Sequence, residues 1–290
     1  MAIKKIKDGK PLRKTQTTQK RAGKRSLGLT LPSEVSIPAE HFADYSMLLY
    51  GERKIGKTTL ASMFDGAFFL CCEPGAKALA VYQRPVGSWR EFLGYIELLE
   101  AGKHEYRTVV VDTADIAYNL CYTWCCEKLC VANPSEAEWG AGWKLIKDEF
   151  AGALLRLASI PDVGCVFVSH SKEKEIKRRN GQSSHVICST MAPMGKEIVE
   201  GLADIIAYYS FDDNGDRVLH VKGDDLIVAG CRVENVFGKT EIIPMGDSKQ
   251  ESYENLLKAW NNKLVPSKSS KATAGAVVKK RTVIKKKTNR

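Results

Sequence analysis

Two glycines, a lysine and a threonine recur at fixed spacing in Gly51-Glu52-Arg53-Lys54-Ile55-Gly56-Lys57-Thr58. Glycines so placed let a backbone turn its N–H groups inward around an anion. The lysine adds a positive charge, and the hydroxyl beside it offers an oxygen to a hard cation. The chemistry this implies is the binding of a nucleoside triphosphate, taken here as ATP, through residues 51–59, Thr59 included. Lys57 would reach the β- and γ-phosphates, and Thr58 would ligate Mg²⁺. Such a lysine is expected to face solvent when no ligand is bound.

A phosphate loop needs a second half if the triphosphate is to be cleaved. Val109-Val110-Val111-Asp112 is an apolar run ending in a carboxylate, which suits a strand delivering Asp112 to the Mg²⁺ shell, with Thr113 and Asp115 as weaker neighbours. Glu73 ends another apolar run, Phe68-Phe69-Leu70-Cys71-Cys72, just before Pro74-Gly75. A carboxylate at the carboxyl end of a strand stands where ligands bind in α/β sheets, and can polarise a water for attack on the γ-phosphate.

Elements that would hold these groups alternate along the chain. Tyr45–Tyr50, Ala67–Cys72, Thr108–Asp112 and Gly164–Ser169 are short apolar runs that read as buried strands. Between them, Ser88 is a plausible N-cap for a helix through Phe92, Ile96 and Leu99, and Ala114–Val131 and Trp143–Ala158 have helical character. Ile198–Ile206 reads as a further helix, and Asp212-Asp213-Asn214-Gly215-Asp216 as a tight hairpin turn into a strand at Arg217–Lys222. The alternation predicts an α/β fold, a mainly parallel sheet flanked by helices.

Charge divides the 290 residues into three parts. The net +10 comes from the ends: ten Lys/Arg against three Asp/Glu in residues 1–40, and nine against none in 265–290. Both stretches lack hydrophobic periodicity, so they read as disordered basic arms around one domain at 41–264. Basic arms condense on polyanions, although a solubilising role has the same composition. No apolar run is long enough to span a bilayer, and the basic start leads into no hydrophobic segment, so a cytoplasmic protein without a membrane partner is expected. The nine cysteines lie largely in apolar runs and read as reduced thiols; Cys121, Cys125, Cys126 and Cys130 lack the paired spacing of a zinc knuckle. Trp124, Trp139, Trp143 and Trp260 read as core or helix-packing residues.

Taken in order, Gly51–Thr59, the strand ending at Glu73, Thr108–Thr113 and Val166-Phe167-Val168-Ser169-His170 resemble the RecA-type P-loop ATPases. They look most like the compact phage-encoded members with recombination or single-strand annealing roles. The resemblance covers roughly residues 45–260. It implies a RecA-like P-loop NTPase core in which Glu73 activates water, Asp112 is linked to Mg²⁺, and His170 senses the γ-phosphate from a position usually held by glutamine. Arg232 stands where relatives present a cation to a neighbour's triphosphate, which implies a homo-oligomer, ring or filament. After His170, Lys172, Lys174, Lys177, Arg178 and Arg179 outnumber two acids and fall where the family carries a DNA-gripping loop. The implied partner is single-stranded DNA, held without sequence specificity through its backbone, and a single-strand-binding protein is a further candidate partner. The rival reading is a P-loop switch or loader acting on a protein partner.

Overall fold

Short apolar runs with covered faces account for the centre of the molecule. The structure is a computed structural model and describes residues 31–177 and 183–264. By internal contacts the chain divides into Met1–Pro38 and Ala39–Arg290. Residues 31–38 of the first unit form no helix or strand. In the second unit the elements run β1 (Met47–Gly51), α1 (Lys57–Ala61), β2 (Ala67–Cys71), β3 (Tyr82–Pro85), α2 (Trp89–Glu100), β4 (Thr108–Asp112), α3 (Ala114–Leu129) and α4 (Ala141–Ala158). Then follow β5 (Gly164–Lys177), β6 (Ser183–Ser189), α5 (Pro193–Leu202), β7 (Ile205–Phe211), β8 (Arg217–His220), β9 (Gly230–Cys231), β10 (Ile242–Pro244) and α6 (Lys249–Trp260).

The strand order is β10-β8-β7-β1-β5-β4-β2-β3, with β6 paired to β5 and β9 to β7. From β7 to β3 every pairing along this path is parallel, and β8 and β10 add an antiparallel edge. This is the expected α/β architecture, a mainly parallel sheet flanked by helices. The phosphate-loop strand β1 lies between β5 and β7, and β4 lies between β5 and β2.

Strand side chains alternate between the two faces, and both faces are apolar. Leu48, Tyr50, Val109, Val111 and Phe167 pack with Trp89, Phe92, Tyr118, Phe150 and Val199 from α2 to α5. Met47, Leu49, Val110, Val166 and Ala207 pack with Leu60 of α1 and with Leu256 and Trp260 of α6. Ser88 caps α2 as its position predicts, its hydroxyl accepting from the Glu91 N–H.

Three expectations change. The run read as helix over Ile198–Ile206 splits: α5 ends at Leu202, and Ile205 and Ile206 open β7, aligned beside Met47 and Leu48 of β1. Periodicity cannot separate a short buried strand from a buried helical turn, and the vacant edge of β1 decides it. The strand ending at Ser169 continues as β5 to Lys177 and forms a hairpin with β6. The tryptophans also divide. Trp260 is buried, whereas Trp139 is 99% exposed and Trp143 39%.

Trp260 packs edge-on against Phe42 and Phe237 and ties α6 to the chain's entry into β1. Trp260→Ala is expected to cost about 3–5 kcal/mol of unfolding free energy, read as a lower midpoint in urea denaturation. An unchanged midpoint would mean that α6 is not part of the cooperative unit.

Candidate nucleotide site at the carboxyl edge of the sheet

Gly51 ends β1 where its backbone presses against the Tyr209 carbonyl of β7, leaving no room for a Cβ. The loop then turns back through Lys54 (φ 64°) and Gly56 (φ 114°), both in the left-handed region, and enters α1 at Lys57. Only glycine adopts such a conformation as Gly56 has without strain.

Lys57 does not face solvent. It is 5% exposed, and its ammonium donates to the carbonyls of Gly51 at 3.0 Å and Glu52 at 2.6 Å. A lysine has three N–H donors, and the inward carbonyls of a tight loop are the nearest acceptors. Burial pushes its pKa down to about 8, against the pull of Asp112, Glu73, Asp115 and Glu52.

The ends of β2 and β4 and the middle of β5 bring the remaining groups together. Asp112, at the end of β4, is 1% exposed and accepts from the Thr58 hydroxyl at 3.1 Å. The Asp112 carbonyl accepts from the N–H groups of Cys72 and Glu73, so the end of β2 is fastened to the end of β4 and Glu73 stands beside Asp112. Burial, with Glu73 nearby, raises the Asp112 pKa to about 6, although the Thr58 hydrogen bond and the Lys57 charge oppose the shift. His170 of β5 lies opposite Gly51 in register. Its Nδ1 is 3.4 Å from the Lys57 ammonium and its Nε2 is 4.0 Å from Glu73 Oε1. An ammonium can only donate, so Nδ1 accepts and the imidazole proton sits on Nε2, toward Glu73. Burial, then the Lys57 charge, lowers the His170 pKa, so the ring is neutral at neutral pH.

Beneath this cluster, the Thr190 hydroxyl donates to Asp115 at 2.6 Å and the Thr190 N–H donates to the His170 carbonyl at 2.9 Å. The base of the β5–β6 hairpin is therefore tied to the start of α3. Sequence reasoning missed Thr190 altogether, and also Arg217, whose Nε donates to the Ile55 carbonyl within the loop at 3.2 Å. Arg217 carries no local motif. Its antiparallel strand reaches the loop only through the order of the sheet.

The other candidate residues lie elsewhere. Glu52, Arg53 and Lys54 are exposed on the loop. Arg232 follows β9, which pairs with the amino end of β7, across the sheet from the loop. Its guanidinium is held by Asp204 at 2.7 Å and by the carbonyls of Gly201 and Leu202 at the end of α5. The basic segment after His170 is a strand where a loop was expected. Alternation puts Lys172 and Lys174 on one face with Cys188 and Val186, and Lys177 on the other with Glu173, Glu175 and His185. Lys172 also donates to the carbonyls of Thr190 and Met191. Arg178 and Arg179 lie outside the described residues, as do residues 1–30 of the N-terminal arm and the whole C-terminal stretch 265–290.

Among the described residues no helix is long and apolar enough to cross a membrane, and no group of three metal-ligating side chains is present. Cys121 and Cys125 are buried in the hydrophobic cluster, and burial raises their thiols above the usual cysteine range.

Residues 43–233 match the family described as "AAA domain". A curated relative, the "SPbeta prophage-derived uncharacterized protein YorG" of Bacillus subtilis (strain 168), is 26% identical over 146 residues. That stretch is 48% of this chain and 45% of the relative, so the match spans a little under half of the relative's length. A solved structure titled "Crystal structure of the RadB recombinase" aligns with a TM-score of 0.39 at 13% identity. It covers 72% of this chain and 89% of the other.

The two shifted groups define a pH window for binding. Asp112 is an anion only above about 6, and Lys57 a cation only below about 8. Affinity for a Mg²⁺–nucleotide is expected to be highest between these values. It should fall on the acid side as Asp112 takes a proton and on the alkaline side as Lys57 loses one. Calorimetric titrations from pH 5 to 9 check this, and a flat profile would contradict the assignment of both groups to the ligand.

Proposed function

Because the chain belongs to the AAA domain family and carries a P-loop ATPase domain, we propose that it hydrolyses ATP at Gly51–Thr59 and uses the cycle to act on single-stranded DNA. The observation that carries the hydrolytic part is the convergence of Lys57, Thr58, Glu73, Asp112 and His170 at one sheet edge. In this reading the loop N–H groups and Lys57 bind the β- and γ-phosphates, and Glu73 orients a water and takes its proton. His170, neutral and protonated on Nε2, donates toward the γ-phosphate.

Mg²⁺ fits the donor set. Thr58 Oγ1 and the Asp112 carboxylate are hard oxygens already side by side, and burial has placed an anion where a cation is needed. When bound, the ion would neutralise phosphate charge. Asp112 and Thr58 would hold it.

The DNA-facing part rests on position. The β5–β6 hairpin grows directly from His170, and its base is fixed to Asp115 through Thr190. Movement of His170 against a phosphate would reach Lys172 and Lys174 through a continuous strand. With Lys177, Arg178, Arg179 and the basic stretches 1–40 and 265–290, these would bind a DNA backbone through charge without reading bases. Recombination or annealing by a homo-oligomer is the biological task this supports. For Arg232 to reach a neighbouring copy's triphosphate, its guanidinium would have to leave Asp204 and the carbonyls at the end of α5.

The rival reading, a switch or loader for a protein partner, is favoured by one surface. A cavity of about 510 Å³ lies between α3, α4 and α5, lined by Tyr118, Tyr122, Trp143, Pro193 and Met194. The exposed Trp139 stands just ahead of α4.

Lys57→Ala is expected to abolish ATP hydrolysis, and Glu73→Gln to lower turnover by roughly 10²-fold or more while nucleotide still binds. Single-stranded DNA at low salt should raise the ATPase rate of the full chain, and Lys172→Glu/Lys174→Glu should remove that stimulation while leaving the DNA-free rate in place. Hydrolysis indifferent to saturating DNA would favour the protein-partner reading. Wild-type hydrolysis by Lys57→Ala would end both.

A further inference from the structure

β5 passes the carboxyl edge of the sheet and loses its parallel neighbours as it goes. The last β5 residue aligned with β4 is Val168, opposite Asp112, and the last aligned with β1 is His170, opposite Gly51. Within the parallel sheet, His170 is therefore supported by β1 alone. Further support comes from the returning chain: the N–H of Thr190, the residue after β6, donates to the His170 carbonyl at 2.9 Å. We propose that Thr190 and Asp115 are positioning residues for hydrolysis, which keep the His170 ring at the reacting end of the nucleotide by anchoring its backbone to α3. The proposal rests on the role given to His170 above and names what sets its place.

Thr190 is a joint between these elements. Its hydroxyl lies 2.6 Å from Asp115 Oδ1, 3.3 Å from the His170 carbonyl and 3.5 Å from the Ser169 hydroxyl. A hydroxyl has one proton to donate, and the short contact with a charged acceptor takes it. Thr190 thus grips β5 with its backbone and α3 with its side chain. Asp115 is a firm anchor, since it sits in the first turn of α3, and Ala114, Ala117, Tyr118 and Cys121 bury that helix in the core.

Closing the hairpin does not require the Asp115 bond. β5 and β6 already pair from Ser171 opposite Ser189 to Lys177 opposite Ser183. Keeping a carboxylate there has a cost, because Asp115 Oδ2 is buried without a hydrogen-bond partner among the described residues. The same carboxylate bears on Lys57 and His170, opposing the loss of a proton from each. It therefore acts on the nucleotide site as well as on the hairpin.

Small shifts of His170 matter here. Its Nδ1 is 3.4 Å from the Lys57 ammonium and its Nε2 is 4.0 Å from Glu73, contacts already long enough for a slight pivot of β5 to break. Reacting and charge-stabilising groups lose most of their effect when displaced by about 1 Å.

The test combines ATPase kinetics with calorimetric binding of a Mg²⁺-bound non-hydrolysable ATP analogue, both on the full chain. Thr190→Val removes the hydroxyl and keeps the shape and the backbone N–H. It is expected to lower kcat by about tenfold or more, while the analogue binds with unchanged stoichiometry and within about twofold of its wild-type affinity. Thr190→Ser restores the hydroxyl and should recover turnover to within about twofold. Asp115→Ala removes the same bond from the other side and should match Thr190→Val. It leaves the Thr190 hydroxyl free to turn to the His170 carbonyl, so it carries the test should the valine variant fail to fold. A His170→Ala background separates positioning from general support: with the ring gone, Thr190→Val should cost less than about twofold in single-turnover rate. Unchanged kcat in Thr190→Val and Asp115→Ala, or an equal loss with and without the His170 ring, overturns the proposal and leaves the phosphate-loop reading standing. Wild-type turnover by His170→Ala would instead remove the role given to His170, and this proposal with it.

Discussion

The burial of one ammonium group organises the carboxyl edge of this sheet. Lys57 is held under its own loop by the carbonyls of Gly51 and Glu52, in a position where charge is costly and its pKa falls to about 8. An isolated buried cation would lose its proton altogether. Lys57 keeps its charge near neutrality because Asp112, Glu73 and Asp115 surround it from three different elements. Those carboxylates in turn need a cation, and burial raises Asp112 to about 6, which the Thr58 hydrogen bond and the Lys57 charge offset only in part. The site is thus a set of charges that neutralise one another imperfectly, which suits a place built to accept a polyanion with its metal.

Parallel pairing makes that set possible. In parallel strands the carboxyl ends lie along one edge, so β1, β2 and β4 end at the same place, which β5 passes at His170. Gly51 permits the closest approach, since the Tyr209 carbonyl occupies the room a side chain would need. The antiparallel extension adds the other half. β8 begins beside the loop at Arg217, and β10 leads back to the same edge, so that Arg217 and Asp247 stand around Gly56 and Thr59.

The hairpin after His170 shows how backbone geometry redistributes charge. Read linearly, Lys172–Arg179 is a basic cluster. Folded as a strand, its described part sends Lys172 and Lys174 to one side and groups Lys177 with two glutamates on the other. The electrostatic surface offered to a partner is therefore narrower than the composition suggests. Arg232 is a similar case, since a free cation in the sequence becomes the cap of α5 once Asp204 is folded beside it.

The sequence by itself determined the phosphate loop, the apolar strands and the carboxylates that end them. Each of these is a local pattern: Gly56 needs a left-handed backbone, Val109–Val111 needs covered faces, and Ser88 needs a helix to cap. Tertiary structure alone decided that Lys57 is buried, that Ile205 and Ile206 join β1 as a strand, that Trp139 is exposed, and that Arg217 reaches the loop while Arg232 does not. The division has a physical cause. Local propensity and periodicity are set by residues a few positions apart, whereas burial, pKa and hydrogen-bond partners depend on which strands lie side by side. Lys57 meets His170 across 113 positions and Arg217 meets Ile55 across 162, and no local pattern records either distance.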